Sequence, residues 1–112
     1  MDVTSLEATT PFKTKDGSAI RELQHTQLQS LAEASLLPGQ ATERHYHAAS
    51  EEIYFVLEGE GELEVDAERR TVTPGDAALI PPGARHEIKA ASPLRFLCCC
   101  SPPYSHDDTF FD

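Results

Sequence analysis

From Ala41 onward the chain is broken at short, regular intervals by turn-forming residues: Gly59 to Gly61, Asp66 to Glu68, Pro74-Gly75, Pro81 to Gly83 and Ser92-Pro93. The runs left between them are Glu52 to Glu58, Gly61 to Val65, Arg69 to Thr73, Ala77 to Ile80, His86 to Ala90 and Leu94 to Cys100. They are too short for stable helices and the right length for strands. Upstream, Ala19 to Leu23 alternates briefly between apolar and polar. Leu28 to Leu37 has the Ala, Leu and Glu content of a helix, but Pro38-Gly39 ends it abruptly and its downstream neighbours are β-like, so a strand is expected there too. With about nine or ten such segments, the pattern predicts an all-β sandwich or small barrel. Residues 1–112 form one domain, since two would each approach the size at which a core is marginal. Within it, 1–17 reads as an arm or short edge strand, 18–100 as the barrel and 101–112 as a tail.

The run Ile53-Tyr54-Phe55-Val56-Leu57 is apolar on both parities. A strand of this kind needs cover on both faces, one from the barrel interior and the other from a second sheet or another subunit, which suggests a homodimer. Aromatics make up only 7% of the chain and Trp is absent, so the core is largely aliphatic. The tail ends in Phe110-Phe111 and is expected to fold back onto the barrel or onto a neighbouring copy.

Nineteen acidic against nine basic residues give a net charge of −10, with no basic cluster beyond Arg69-Arg70. That balance argues against nucleic acid or an anionic membrane surface as partner. No run approaches the roughly 18 uncharged apolar residues of a spanning helix, and the polar segment Met1 to Lys15 does not resemble a signal peptide, so a cytoplasmic location is expected. Cys98, Cys99 and Cys100 are consecutive, and neighbours on a strand face opposite ways, which disfavours pairing among them. Buried or reduced strand thiols fit better than a zinc site, which uses gapped spacings.

The chemistry concentrates in His45-Tyr46-His47-Ala-Ala-Ser-Glu51-Glu52. On an extended chain His45 and His47 point to one face, ~7 Å apart, and a turn through Ala48 to Ser50 would bring a carboxylate back beside them. Written as spacings, the region is Gly39-x5-His45-x-His47-x4-Glu52-x6-Gly59 and then Gly75-x5-Pro81-x-Gly83-x2-His86, separated by Glu60 to Pro74. These two segments resemble both signature motifs of the cupin superfamily, and the chain resembles its small single-domain members. The second motif usually continues x3-Asn, and this chain has Ala90 there. The departure touches a supporting hydrogen bond and leaves the metal positions intact.

The resemblance implies a small antiparallel β-barrel, a jelly-roll-like double-stranded β-helix, commonly dimeric through exchange of N-terminal strands, a role the arm would suit. It also implies the metal ligands His45, His47, Glu52 and His86. Glu51, beside Glu52, misses the six-residue gap to Gly59 and falls on the opposite parity. Three imidazoles and one carboxylate suit one divalent transition metal per chain, Fe, Mn, Ni, Cu or Zn, and are too nitrogen-rich for Mg or Ca. A six-coordinate metal would keep two positions open, whereas four-coordinate zinc would be closed.

Parity sends Tyr54, Val56 and Ile88 inward toward the metal, with Phe96, Cys98 and Cys100 sharing one face of the last strand. The expected pocket is apolar with one phenol and suits a small organic ligand. Arg44 and Tyr46 have outward parity and read as structural, Gly59-Glu-Gly61 as a hairpin turn, and His25 and His106 as remote from the site. No separate general base is identifiable. The leading functional expectation is a mononuclear metalloenzyme of dioxygenase type. The alternatives are a non-catalytic module that binds or senses a carboxylate or sugar-like ligand, and a metal-dependent isomerase or lyase.

Overall fold

A computed structural model of the chain describes residues 1–112. Nine strands run β1 (Phe12–Lys13), β2 (Ala19–His25), β3 (Ser30–Leu36), β4 (Glu51–Glu58), β5 (Gly61–Val65), β6 (Glu68–Val72), β7 (Ala77–Ile80), β8 (His86–Ala90) and β9 (Leu94–Ser101), followed by a 3-10 turn at His106–Asp108. They form two antiparallel sheets, one ordered β1-β2-β3-β9-β4-β7 and a smaller one ordered β6-β5-β8. No helix is long and apolar enough to cross a membrane.

Strand existence follows the punctuation closely, and the differences are local. The strand expected from Leu28 starts at Ser30, because the Thr26 amide bonds the Gln29 carbonyl and closes a turn across Leu28. The strand expected from Arg69 to Thr73 begins and ends one residue earlier, because Asp66 and Ala67 both take positive φ, 48° and 70°, and make the hairpin turn by themselves.

Alternation decides what the core receives. In β4, Tyr54 and Val56 are buried while Ile53 and Phe55 are half-exposed, and across the strand pair Leu79 on β7 is 56% exposed. The interior between the sheets is closed by Leu36, Leu63, Ile80, Ile88, Leu94 and Phe96. The outer face of β4 and β7 thus leaves Ile53, Phe55 and Leu79 partly open to solvent. The N-terminal segment lies along β2 of its own chain, with β1 paired to it and the Thr4 hydroxyl donating to the Leu23 carbonyl at 2.8 Å. The tail also folds back: Phe110 forms a bridge with Tyr46, and Asp112 meets the Arg85 guanidinium at 2.9 Å.

Candidate metal centre

Three chain segments converge at one end of the interior. The stretch from Ala41 to His45 runs beside β8, bridged at Ala41–Lys89 and at His45–His86, where each histidine's amide bonds the other's carbonyl. That pairing places two imidazoles opposite one another, with ring centroids 4.2 Å apart. His47 follows two residues on, its carbonyl held by the Gly83 amide at 2.7 Å. Antiparallel pairing of β4 with β9 then delivers Glu52 opposite Cys100.

The ring nitrogens are sorted by their partners. Nδ1 of His45, His47 and His86 lies 2.7, 3.1 and 2.9 Å from the carbonyls of Glu43, Asp108 and Ala84. A carbonyl only accepts, so each Nδ1 carries the proton and each Nε2, in the neutral ring, offers a lone pair. The ligand atoms of the three histidines lie within 4.8 Å of one another, and all three residues are buried. Glu52 Oε1 stands 3.5 Å from His47 Nε2 and 3.4 Å from His86 Nε2, while its Oε2 accepts from the Cys100 thiol at 3.3 Å. Glu52 Oε1 and His86 Nε2 are buried without any hydrogen-bond partner. Orphaned polar atoms of this kind are costly unless something satisfies them, and a divalent cation between them would do so. The donor set therefore fits a transition metal: the three histidines can hold one, with the Glu52 carboxylate beside two of them.

Electrostatics agree with a charge-dense, water-poor site. Burial lowers the pKa of His45, and the neighbouring His86 adds to the effect. Burial acts the same way on His47, but the Glu52 carboxylate and the Asp108 carbonyl outweigh it and raise its pKa. For Glu52 burial alone would favour the neutral acid, yet the imidazoles of His47 and His86 prevail and hold its pKa at about 2. Burial, reinforced by Glu52, pushes the Tyr54 phenol and the Cys98 thiol well up, so both remain protonated.

A cavity opens beside the histidines, with Tyr54, Phe96, Cys98 and Cys100 on its wall. Val56 and Ile88, also expected there, point inward but pack deeper, inside the apolar core, because the cavity lies at the β2, β3 and β9 end of the interior. Arg44 turns outward to Glu64 at 3.1 Å, and the Tyr46 ring stacks with Phe110 and meets the Arg85 guanidinium 3.7 Å from its centroid. His25 pairs with Glu22 on the surface, Cys99 is exposed, and His106 lies in the tail. At Ala90, where the motif usually has Asn, the backbone is tied on both sides, to Gln40 and to Gly39.

Two elements of the site had no local signal. Asp16, in the turn between β1 and β2, lies on the cavity with Oδ2 3.6 Å from His45 Nε2. Its Asp-Gly dipeptide marks a turn, but only the long-range bond from the Glu43 amide to the Asp16 carbonyl, 2.8 Å, brings that turn over the histidines. Asp108 of the tail orients His47 through its carbonyl and accepts from the Ala48, Ala49 and Ser50 amides through its carboxylate.

Residues 32–100 match the family model described as the Cupin domain. The chain is 49% identical over 106 residues to the uncharacterized protein MJ1618 of Methanocaldococcus jannaschii, covering 88% of this chain and 85% of that one. Among solved structures it superposes on KdgF from Halomonas sp. with a TM-score of 0.86 at 22% identity, covering 94% of this chain and 96% of that one. It superposes on Pac13 of Streptomyces, described as a nucleoside dehydratase, with a TM-score of 0.83 at 17% identity, covering 98% and 88%. At these identities the structural matches speak for the fold, while the family match spans more than half of the chain. The chain belongs to the cupin family.

Proposed function

We propose that this cupin is a mononuclear metalloenzyme of dioxygenase type, with His45, His47, Glu52 and His86 as ligands, acting on a small organic substrate held in the adjoining cavity. The observation that carries this reading is the pair of buried, unpartnered atoms, Glu52 Oε1 and His86 Nε2, inside a set of imidazoles whose Nδ1 atoms are all committed to carbonyls. A bound divalent metal supplies Lewis acidity and, as iron, one-electron chemistry. The protein's part is to fix the ring tautomers, exclude water and present Tyr54 and Phe96 as an aromatic wall to the substrate. Anaerobically reconstituted Fe(II) protein should consume dioxygen when a panel of small diols, diketones, thiols and keto acids is supplied. Absence of substrate-dependent uptake across that panel removes the oxygenase reading.

A second reading, a metal-dependent lyase or isomerase that needs no dioxygen, is favoured by one feature. Asp16 adds a carboxylate beside His45 that is not in the ligand set, and such a group is suited to moving a proton on a bound substrate. Turnover under strict anaerobiosis separates the two.

The same proposal includes a homodimer. Ile53, Phe55 and Leu79 leave an apolar strip on the outer face of the larger sheet, which a second copy would cover. Light scattering of the intact chain reads the mass directly, and a monomer at all concentrations would exclude the pairing.

A further inference from the structure

The cavity beside the metal centre contains carboxylates and no cation. Asp16 and Glu22 line it together with Glu52, and no lysine or arginine is among its lining residues. The nearby cations are committed elsewhere. Arg21 and Arg95 meet Glu33, at 3.2 and 2.7 Å, on the opposite parity of β3 from the cavity wall. The Lys15 ammonium, next in sequence to Asp16, donates to the His106 carbonyl at 3.1 Å.

Asp16 is held for a purpose its own turn does not use up. Its Oδ1 accepts three hydrogen bonds, from the Thr14 hydroxyl at 2.6 Å, the Ser18 amide at 2.9 Å and the Ser18 hydroxyl at 2.7 Å. These donors fix the carboxylate plane and leave Oδ2 facing His45 and the cavity. Ser18 is itself buried, so the clamp is shielded from water. With a divalent cation in place, Glu52 and Asp16 already balance its charge, and Glu22 at the cavity edge, whose other neighbour is His25 at 3.2 Å, brings a further carboxylate. Beyond the metal itself, an anionic substrate would meet repulsion from these carboxylates and no side-chain cation, whereas a hydroxyl or amide N–H would find an oriented acceptor.

We propose that the cavity selects a small uncharged molecule bearing hydroxyl or amide donors, and that Asp16 is the specificity-determining acceptor that excludes carboxylate and phosphate ligands. This rests on the metal-centre reading and names its substrate class. It narrows the sequence-based alternative of a carboxylate-binding module to the sugar-like, neutral side.

The test uses the intact, Co(II)-loaded protein and two near-isosteric probes that differ in charge, glycolamide and glycolate, followed by the visible spectrum of the metal. Wild-type protein should respond to glycolamide at lower concentration than to glycolate. Asp16→Asn retains an oxygen for the Thr14 and Ser18 donors and should shift the ratio toward glycolate by about tenfold. Glu22→Gln, which leaves that turn untouched, should shift it the same way by less. A wild-type preference for glycolate, or a ratio that Asp16→Asn leaves unchanged, would overturn the proposal, as would a spectrum insensitive to both probes in protein shown to hold cobalt. Metal content, measured on the same samples, reports separately on the metal-centre reading: protein that holds no cobalt contradicts that reading, and the shift of its unfolding temperature with each probe then reads the charge selectivity.

Discussion

The thiol of Cys100 donates to Glu52 Oε2 at 3.3 Å across the β4–β9 pair, from a position directly opposite Glu52 in the sheet register. One oxygen of the buried carboxylate is thereby fixed, and the other is turned toward His47 and His86. The consecutive cysteines thus contain one that orients the site. Cys100→Ser should preserve the donor and leave stability and metal affinity close to wild type. Cys100→Ala removes it and should lower stability by about 1–3 kcal/mol in urea unfolding. Equal behaviour of the two variants would show that the thiol acts only as packing.

Asp108 ties the tail to the site. Its carboxylate takes the Ala48, Ala49 and Ser50 amides at 3.0 to 3.2 Å, in the turn that leads from His47 to Glu52, while its carbonyl fixes the His47 ring. Asp108→Ala frees three amides and loosens the turn. The carbonyl that orients His47 is retained, so the expected result is a loss of metal affinity toward the lower end of the roughly 10–100-fold range for disturbed supporting contacts, measured by chelator competition. Asp108→Asn, which keeps one accepting oxygen, should fall between.

Backbone geometry predicts opposite effects at two turns. Gly59 has φ +85°, and a Cβ there would collide with the Pro93 carbonyl, so Gly59→Ala should destabilise by at least about 2 kcal/mol. Ala67 has a side chain at φ 70°, so Ala67→Gly should stabilise by up to about 1 kcal/mol. Thermal unfolding of the two variants checks both signs.

Acid should weaken the metal-free fold through Glu52. Its pKa falls from the ordinary 4.5 to about 2 in the folded chain. A depressed carboxylate contributes stability that is complete above about pH 4.5 and lost as pH falls toward 2. The stability difference between wild type and Glu52→Gln should therefore shrink across that window, by up to a few kcal/mol. A difference that stays constant from pH 5 to 2 would mean that Glu52 does not gain from its imidazole neighbours.

The fold was legible wherever glycine and proline bound the strands: Gly61–Val65, Ala77–Ile80 and His86–Ala90 appear with the limits their punctuation suggests. His45, His47, Glu52 and His86 were pointed to by the match of two spaced segments to the cupin motifs, and the fold clusters the three imidazoles with the Glu52 carboxylate beside two of them. Asp16 and Asp108 were not. Each reaches the site through contacts made only after folding, the latter to an amide 60 residues away, and neither occupies a periodic position. The pocket lining was half legible for a related reason. Parity fixes whether a side chain points inward, as for Val56 and Ile88, but not how far along the barrel the cavity extends.

The most direct test of the account is metal content per chain, by elemental analysis after exhaustive dialysis, in wild type, Glu52→Gln and His86→Ala. One divalent transition metal per wild-type chain is predicted, with a sharp loss in both variants while the fold, read by circular dichroism, persists. Metal-free wild-type protein that cannot be reconstituted, or a metal content unchanged in both variants, would contradict it.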